Sequence, residues 1–290
     1  MSDPLHPLPP APLLPLLYEP LLRQALAEDL GRAGDLTSDA ILPSDLQATA
    51  RVVARQAGRI AGLVVATAAF RLVDPMVAVE LHAADGEDAE AGAPLATVRG
   101  PARALLTAER TALNLLGRLC GIATATRDLV ALVAPHGARV VCTRKTTPGL
   151  RALEKYAVRC GGGGNHRFGL DDAVLIKDNH VALAGGIRPA VERARRAVGH
   201  LVKIELEVDS LVQLDEALAL GVDVVLLDNM PVETLREAVR QARGRALTEA
   251  SGGIRPDTAA AIAATGVDVL SVGWLTHSAP ALDVALDVEA

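Results

Sequence analysis

Short runs of apolar residues recur along the second half of the chain, and each is followed by a polar cluster and an alanine-rich amphipathic segment. The runs are apolar throughout rather than at alternate positions, which indicates strands buried on both faces of a parallel sheet. Their spacing of roughly 20 to 35 residues is typical of repeated strand–helix units. The runs are Arg139–Cys142, Ala173–Ile176, Val202–Val208, Asp223–Leu227, Ala246–Ala250 and Asp268–Val272.

Six such strands favour a barrel over an open, doubly wound sheet. The segments GVDVVLLDN (221–229) and GVDVLSVGW (266–274) resemble each other, as successive units of a barrel would. We therefore predict an α/β fold in which residues 137–277 form an incomplete (β/α) barrel.

The first half of the chain has a mixed pattern. A first helix closes at Gly31, and a long helical stretch runs from Pro101 to about Val133 with an interruption near Gly121. Between them lie strand-like segments around 48–56, 59–65 and 77–82. We predict an N-terminal α+β domain over residues 17–136, preceded by a proline-rich, irregular arm at residues 1–16.

Composition narrows the class of protein. Aromatic residues make up only 2% of the chain and the formal net charge is −6, so a nucleic-acid partner is not expected. The N-terminus lacks the basic region of a signal peptide, and no run of eighteen apolar residues predicts a membrane span. Three scattered cysteines without CxxC spacing are typical of a reducing compartment, so we expect a cytoplasmic protein.

Side chains able to do chemistry follow nearly every predicted strand of the barrel. In parallel α/β folds the carboxyl ends of the strands and the loops after them form the active face. These strand ends carry Thr143–Lys145, Lys177–Asn179, Glu207, Asp209, Asp228–Asn229, Glu249–Gly253 and Gly273.

Five of the candidate residues are cationic or can become so, in a chain that is acidic overall. They lie at strand ends and beside the glycines of 161–164 rather than at helical spacing, which argues against a solvated salt-bridge face. Because arginine binds carboxylates and phosphates in a bidentate manner, we predict a pocket for a small ligand with several negative charges. The five residues are Arg144, Lys145, His166, Arg167 and Lys177.

Two glycine-containing strand ends indicate phosphate binding. The segment Ser251–Gly253 follows one predicted strand and precedes a helix, and Gly273 follows the next strand. Glu207 and Asp228 end neighbouring strands, where they could hold Mg²⁺ together with substrate oxygens. The alternative is that each carboxylate pairs with a nearby arginine or lysine. The histidines lack zinc-ligand spacing.

The longest of these motifs, TRKTTPGLRALEKYAVRCGGGGNHRFGLDDAVLIKDNH (143–180), resembles the signature region of the quinolinate phosphoribosyltransferase family. Further segments similar to that family extend over nearly the whole chain. They are EDLGRAGDLTS (28–38), ERTALNLLGRLCGIAT (109–124), IELEVDS (204–210), LLDN (226–229), EASGGI (249–254) and SVGWLTHSAPALD (271–283). Cys120 stands where the family commonly has serine, and the residues before Leu17 match nothing.

The resemblance implies a fold, an assembly and a reaction. The N-terminal domain would be an α/β sandwich joined by residues 278–290, packed against the incomplete barrel. The subunit would form an obligate homodimer, with hexamers left open. With Mg²⁺, the enzyme would join quinolinate to 5-phosphoribosyl-1-pyrophosphate, giving nicotinate mononucleotide, pyrophosphate and CO2.

The resemblance also implies roles for individual residues. Arg144, His166, Arg167 and Lys177 would hold quinolinate, with Arg110 of the partner subunit reaching in. Lys145 would lie beside the pyrophosphate and the acceptor, while Glu207 and Asp228 would face the ribose hydroxyls and the metal. The 5-phosphate would be bound by Ser251, Gly252, Gly253, Gly273 and His277. The catalytic set would be Lys145, Lys177, Glu207 and Asp228.

Three alternatives have other functions. A sister family of molybdenum-associated proteins shares the architecture but lacks the full NHR…KDNH pattern. A barrel lyase could use Lys177 as a Schiff-base nucleophile. A non-catalytic module could bind a phosphorylated metabolite.

Overall fold

The computed structural model of the chain describes residues 10–289. Residues 10–14 form no helix or strand, and the first helix begins at Pro15, so the end of the predicted arm is helical. Residues 1–9 of that arm lie outside the described residues.

The described chain contains eleven α-helices and twelve strands. In chain order they are α1 (Pro15–Leu30), α2 (Leu36–Ile41), β1 (Gln47–Ala54), β2 (Gly58–Arg59), α3 (Leu63–Val73), β3 (Ala78–Leu81), β4 (Asp88–Ala89), β5 (Pro94–Pro101), α4 (Ala102–Val133), β6 (Arg139–Val141), α5 (Arg151–Cys160), β7 (Val174–Ile176), α6 (Asp178–Ala184), α7 (Ile187–Ala197), β8 (Ile204–Val208), α8 (Leu211–Leu220), β9 (Val224–Asp228), α9 (Val232–Ala242), β10 (Leu247–Ser251), α10 (Pro256–Ala263), β11 (Val269–Ser271), α11 (Trp274–His277) and β12 (Val284–Val288). A short 3₁₀ helix, Ala134–His136, precedes β6. None of the described helices combines the length and apolar character needed to cross a membrane.

All six predicted strands of the second half are confirmed, as β6 to β11. They pair in parallel in the order β6–β11–β10–β9–β8–β7, which leaves β6 and β7 as edge strands. Many apolar residues of these strands are buried, among them Leu206, Val225, Leu227 and Leu270. A parallel sheet with helices between successive strands is the predicted incomplete barrel.

The described chain divides into two compact units. Unit 1 comprises residues 10–127, 146–162 and 275–289, and unit 2 comprises residues 128–145 and 163–274. The predicted domains, 17–136 and 137–277, divide the chain elsewhere because α5 makes its contacts within unit 1. Its Glu154 accepts from Arg118 at 3.0 Å, and the Tyr156 hydroxyl donates to Asp85 at 2.7 Å.

Unit 1 contains an antiparallel sheet of order β12–β1–β5–β3, in which the C-terminal strand β12 pairs with β1. The strand-like segments around 48–56 and 77–82 correspond to β1 and β3. The strand predicted at 59–65 is wrong, because helix α3 begins at Leu63. Gly62 adopts φ +80° just before it, and the Asp85 carboxylate accepts from the Leu63 N–H at 3.0 Å.

Helix α4 is continuous over 32 residues, so the predicted interruption near Gly121 is wrong. The glycine serves packing instead. A Cβ at Gly121 would collide with the carbonyl oxygen of Pro280, and one at Gly117 would lie 2.8 Å from that of Leu282. These glycines allow the C-terminal segment to lie directly against the helix backbone.

Candidate active site

The polar strand ends of unit 2 lie at one edge of its sheet, because all six strands run in the same direction. Glu207 of β8 and Glu249 of β10 are both level with Leu226 of β9. Asp228 is level with Ser251. Since alternate residues of a strand face the same side, the sheet presents several carboxylates on one face near its carboxyl edge.

Lys177 and Glu207 form an ion pair at this edge, with Nζ 2.8 Å from Oε2. The lysine side chain is 48% exposed and that of the glutamate 15%. Glu207 is therefore paired with a lysine, as in the alternative to a Mg²⁺ site given from the sequence. Asp228 has an uncharged neighbour, because its Oδ2 accepts from Asn229 Nδ2 at 2.8 Å.

Arg144 and Arg167 bring two guanidinium groups into the same region. Burial lowers the pKa of Arg167, and the positive charge of Arg144 lowers it further. Arg167 Nη1 donates to the Ala173 carbonyl at 3.2 Å. Arg144 Nε is buried and has no hydrogen-bond partner among the described residues. Two like charges with a buried, unpaired donor constitute a site that an anion would complete.

His166 contacts two buried glutamates. Its Nε2 lies 3.0 Å from Glu205 Oε2 and 3.5 Å from Glu249 Oε1, and its Nδ1 accepts from the Arg167 backbone N–H at 2.8 Å. From the sequence, Glu249 is named only as part of a polar strand end and Glu205 is not named. A signal exists in IELEV, where Glu205 and Glu207 interrupt an apolar run at alternate positions and so share a face.

The two predicted phosphate-binding loops are neighbours. They follow the paired strands β10 and β11, and Trp274 Nε1 donates to the Ile254 carbonyl at 3.0 Å. Gly252 and Gly253 have φ of +92° and +59°. A Cβ on Gly252 would collide with the side chain of Asn229, whereas one on Gly253 would meet nothing within 4 Å.

The remaining candidates are Lys145, Arg110 and His277. Lys145 follows Arg144 with an exposed side chain, and its backbone N–H donates to Thr143 Oγ1 at 3.0 Å. Arg110 and His277 belong to unit 1, and both are exposed. Arg110 lies 3.7 Å from Glu109, and His277 Nδ1 lies 2.6 Å from Ser278 Oγ.

Glu249 should make the stability of the protein depend on pH. Burial, and then the charge of Glu205, raises the pKa of Glu249 to about 7 from 4.5. Between these values the folded protein holds a proton that the unfolded chain releases, so the free energy of unfolding falls as the pH rises. Glu249→Gln stays neutral and should remove this fall, worth about 1 to 3 kcal/mol between about pH 5 and about pH 8.

Urea unfolding of the wild type and Glu249→Gln at both pH values checks this. The exposed Glu216→Gln serves as a control and should follow the wild type. Parallel pH dependence of the wild type and Glu249→Gln would contradict the assignment.

Two family profiles together match almost the entire chain. The profile described as "Quinolinate phosphoribosyl transferase, N-terminal domain" matches residues 35–120, and the one described as "Quinolinate phosphoribosyl transferase, C-terminal domain" matches residues 122–287.

Individual proteins are similar over nearly their full length. A probable nicotinate-nucleotide pyrophosphorylase [carboxylating] of Bacillus subtilis (strain 168) is 46% identical over 273 residues, covering 94% of each chain. The nicotinate-nucleotide pyrophosphorylase [carboxylating] of Mycobacterium leprae (strain TN) is 47% identical, covering 92% of this chain and 95% of its own. The crystal structure of NadC from Streptococcus pyogenes superposes with a TM-score of 0.92 at 39% identity, covering 97% of this chain and 100% of that chain.

Proposed function

The chain belongs to the quinolinate phosphoribosyl transferase family, and we propose from that membership and from its site how it works. It transfers the phosphoribosyl group of 5-phosphoribosyl-1-pyrophosphate to quinolinate with decarboxylation, a step of NAD synthesis. The products are nicotinate mononucleotide, pyrophosphate and CO2. The relatives' names, pyrophosphorylase [carboxylating], describe the same reaction in reverse.

The unpaired Nε of Arg144 beside Arg167 is the observation that supports placing the quinolinate site here. Quinolinate is a pyridine with two adjacent carboxylates, and it would supply acceptors for this buried donor and for the second guanidinium. Lys177, half-exposed at the same strand edge, could turn from Glu207 to a substrate carboxylate. His166 would act next to these groups, and Arg110 of the partner subunit would add a further cation.

Positioning and fixed charge account for the chemistry. The pyridine nitrogen attacks the anomeric carbon of the ribose, and the bond to pyrophosphate breaks with its electron pair leaving on oxygen. Fixed charges stabilise the oxocarbenium-like transition state. The ring nitrogen is then cationic, so it stabilises the electron pair left on C2 when the adjacent carboxylate leaves as CO2. That pair then forms a C–H bond with a proton from solvent.

The phosphoribosyl side of the site would use the other strand ends. The loops at Ser251, Gly252, Gly253 and Gly273 would bind the 5-phosphate with backbone N–H groups, and the family resemblance adds His277 to this set. Lys145 would approach the pyrophosphate. The carboxylates of Glu207 and Asp228 suit Mg²⁺, which binds through one or two carboxylates together with substrate phosphates and would neutralise the pyrophosphate charge when bound.

Gly252→Ala should weaken binding of phosphoribosyl pyrophosphate more than Gly253→Ala. Alanine is disfavoured at the φ of +92° of Gly252, and its Cβ would displace Asn229, which together cost about 1 to 3 kcal/mol, or about 5- to 150-fold in KM. Gly253 has αL geometry and open space, so alanine there costs only about 1 kcal/mol. Initial rates with varied phosphoribosyl pyrophosphate measure both, and equal effects of the two variants would contradict this assignment.

The other candidate functions find less support. A Schiff-base nucleophile needs a neutral amine, usually desolvated or beside another cation, whereas Lys177 is half-exposed and paired with a carboxylate. The relatives described above are named for the pyrophosphorylase rather than for a molybdenum-associated function.

The exposure of Arg110 and the state of the cysteines bear on the assembly and the compartment. We infer a homodimer in which Arg110 completes the partner's site, since this residue belongs to unit 1 and is largely exposed, with 65% of its side chain accessible. The three cysteines are buried and form no disulfide with one another, which supports a reducing compartment such as the cytoplasm.

Chromatography of a reaction mixture tests the proposed function. The protein, incubated with quinolinate, phosphoribosyl pyrophosphate and Mg²⁺, should form nicotinate mononucleotide, and omitting any component should stop it. Pyrophosphate release without nucleotide, or neither product from a folded protein, would contradict it.

A further inference from the structure

The His166 ring is held on both sides by groups of the protein. On one side Nε2 faces the Glu205 and Glu249 carboxylates, and on the other Nδ1 faces the Arg167 backbone N–H. The three side chains are only 13%, 10% and 6% exposed, so water competes little for these contacts.

These contacts determine where the imidazole carries its proton. A backbone N–H can only donate, so Nδ1 must offer a lone pair, and a neutral ring then carries its hydrogen on Nε2. Carboxylates accept that hydrogen, and Glu205 Oε2 lies within hydrogen-bond distance of it. His166 is therefore expected as the neutral Nε2–H tautomer.

The same reasoning argues against a metal ion at these three residues, although their ligand atoms lie within 4.8 Å of one another. A metal on Nε2 would take the lone pair of that atom and require the ring hydrogen on Nδ1. Nδ1 would then meet the Arg167 N–H with a second hydrogen. The arrangement fits a hydrogen bond to carboxylate better than a metal site.

Each of the two glutamates also has a buried oxygen without a hydrogen-bond donor in the described chain. Glu205 Oε1 and Glu249 Oε1 are buried without hydrogen-bond partners among the described residues. Buried, unpaired acceptors destabilise a fold, and such groups call for an explanation in a native structure. A role in orienting His166 supplies one, because both carboxylates face the same ring nitrogen.

We propose that Glu205 and Glu249 are positioning residues that lock His166 as the Nε2–H tautomer and, through its Nδ1, fix the backbone of Arg167. The side chain of Arg167 begins at that backbone, so the lock aims its guanidinium beside Arg144, where the proposed function requires quinolinate to bind. The inference rests on that function for its kinetic consequence, but not for the state of the ring.

Nuclear magnetic resonance of protein labelled with ¹⁵N-histidine reads the ring state directly. Two-bond ¹H–¹⁵N correlation distinguishes the two neutral tautomers and the imidazolium, and loss of one signal in His166→Asn assigns it. The wild type should show the Nε2–H tautomer, and Glu205→Leu, which removes the acceptor of the Nε2 hydrogen, should reduce the share of that tautomer. A wild-type imidazolium or Nδ1–H tautomer would overturn the proposal.

Kinetics supply the second readout. At about pH 8, where Glu249 is ionised despite its raised pKa, Glu205→Gln and Glu249→Gln should raise KM for quinolinate about 10- to 100-fold while KM for phosphoribosyl pyrophosphate stays unchanged. The exposed Glu216→Gln should leave both KM values unchanged. Because Glu249 acts through His166, the double variant His166→Asn/Glu249→Gln should lose no more than His166→Asn alone. Additive losses would overturn the proposal, with circular dichroism confirming that each variant is folded.

Zinc titration tests the alternative that His166, Glu205 and Glu249 bind a metal ion. Calorimetry of the full chain with Zn²⁺ should detect no site that disappears in Glu249→Gln, and one equivalent of binding lost in that variant would overturn the proposal. If the wild type makes no nicotinate mononucleotide, the proposed function fails, while the ring spectra still decide how His166 is held.

Discussion

Nicotinate should be a far poorer acceptor than quinolinate, with kcat/KM lower by roughly 30- to 1000-fold. It keeps only one of the two carboxylates, so one charged contact with the Arg144 and Arg167 guanidinium groups is lost. Leaving a buried charged donor unpaired costs about 2 to 4 kcal/mol. Arg144 Nε has no partner within the described chain, so no described group of the chain replaces the lost contact.

Parallel rates of pyrophosphate release with the two acceptors measure this preference. Arg144→Ala should narrow it, because the contact that distinguishes the acceptors is gone. Arg236→Ala, which removes an exposed arginine paired with Glu233 on α9, should leave it unchanged. Comparable turnover of nicotinate and quinolinate by the wild type would remove the two arginines from the acceptor pocket.

Mixing two inactive variants should restore activity if each site draws on two subunits. Arg110→Ala and Lys177→Ala should each be inactive as a homodimer. After subunit exchange, a mixed dimer would hold one site carrying both changes and one carrying neither. Random exchange gives about half mixed dimers, each with one intact site of two, so recovery should approach about a quarter of wild-type activity. Sharing of this kind would exclude water, which would otherwise capture the oxocarbenium-like state.

A matched pair provides the control for this experiment. Arg167 and Lys177 both belong to unit 2, so in a mixture of Arg167→Ala and Lys177→Ala every site lacks one of them and no activity should return. If the first mixture also shows no recovery although its subunits exchange, Arg110 acts in its own subunit or outside the reaction.

The barrel strands could be predicted from the sequence because burial on both faces leaves a continuous apolar run. Unit 1 was harder. The apolar residues of 59–65 fit a strand as well as they fit the first turn of α3. Only Gly62 and the distant Asp85 carboxylate determine that a helix begins there. Likewise, Gly121 weakens α4 locally but allows the approach of Pro280, a contact that spans most of the chain.

The site shows the same division between local and distant information. Cations and glycines at strand ends could be identified because their position relative to each strand is local. The pairing of His166 with Glu205 and Glu249 joins a loop to two separate strands, β8 and β10, and no local pattern links them. The left-handed glycine at 252 likewise depends on Asn229 in the preceding strand–helix unit.

Carboxyl-labelled quinolinate tests the central claim most directly. With the label on the 2-carboxylate, labelled CO2 should be released only when phosphoribosyl pyrophosphate is present, in an amount equal to the pyrophosphate formed. Label on the 3-carboxylate should stay in nicotinate mononucleotide. This follows because decarboxylation needs the cationic ring nitrogen that phosphoribosyl transfer creates. Release of CO2 without phosphoribosyl pyrophosphate, or a borohydride-trapped adduct at Lys177, would contradict the account.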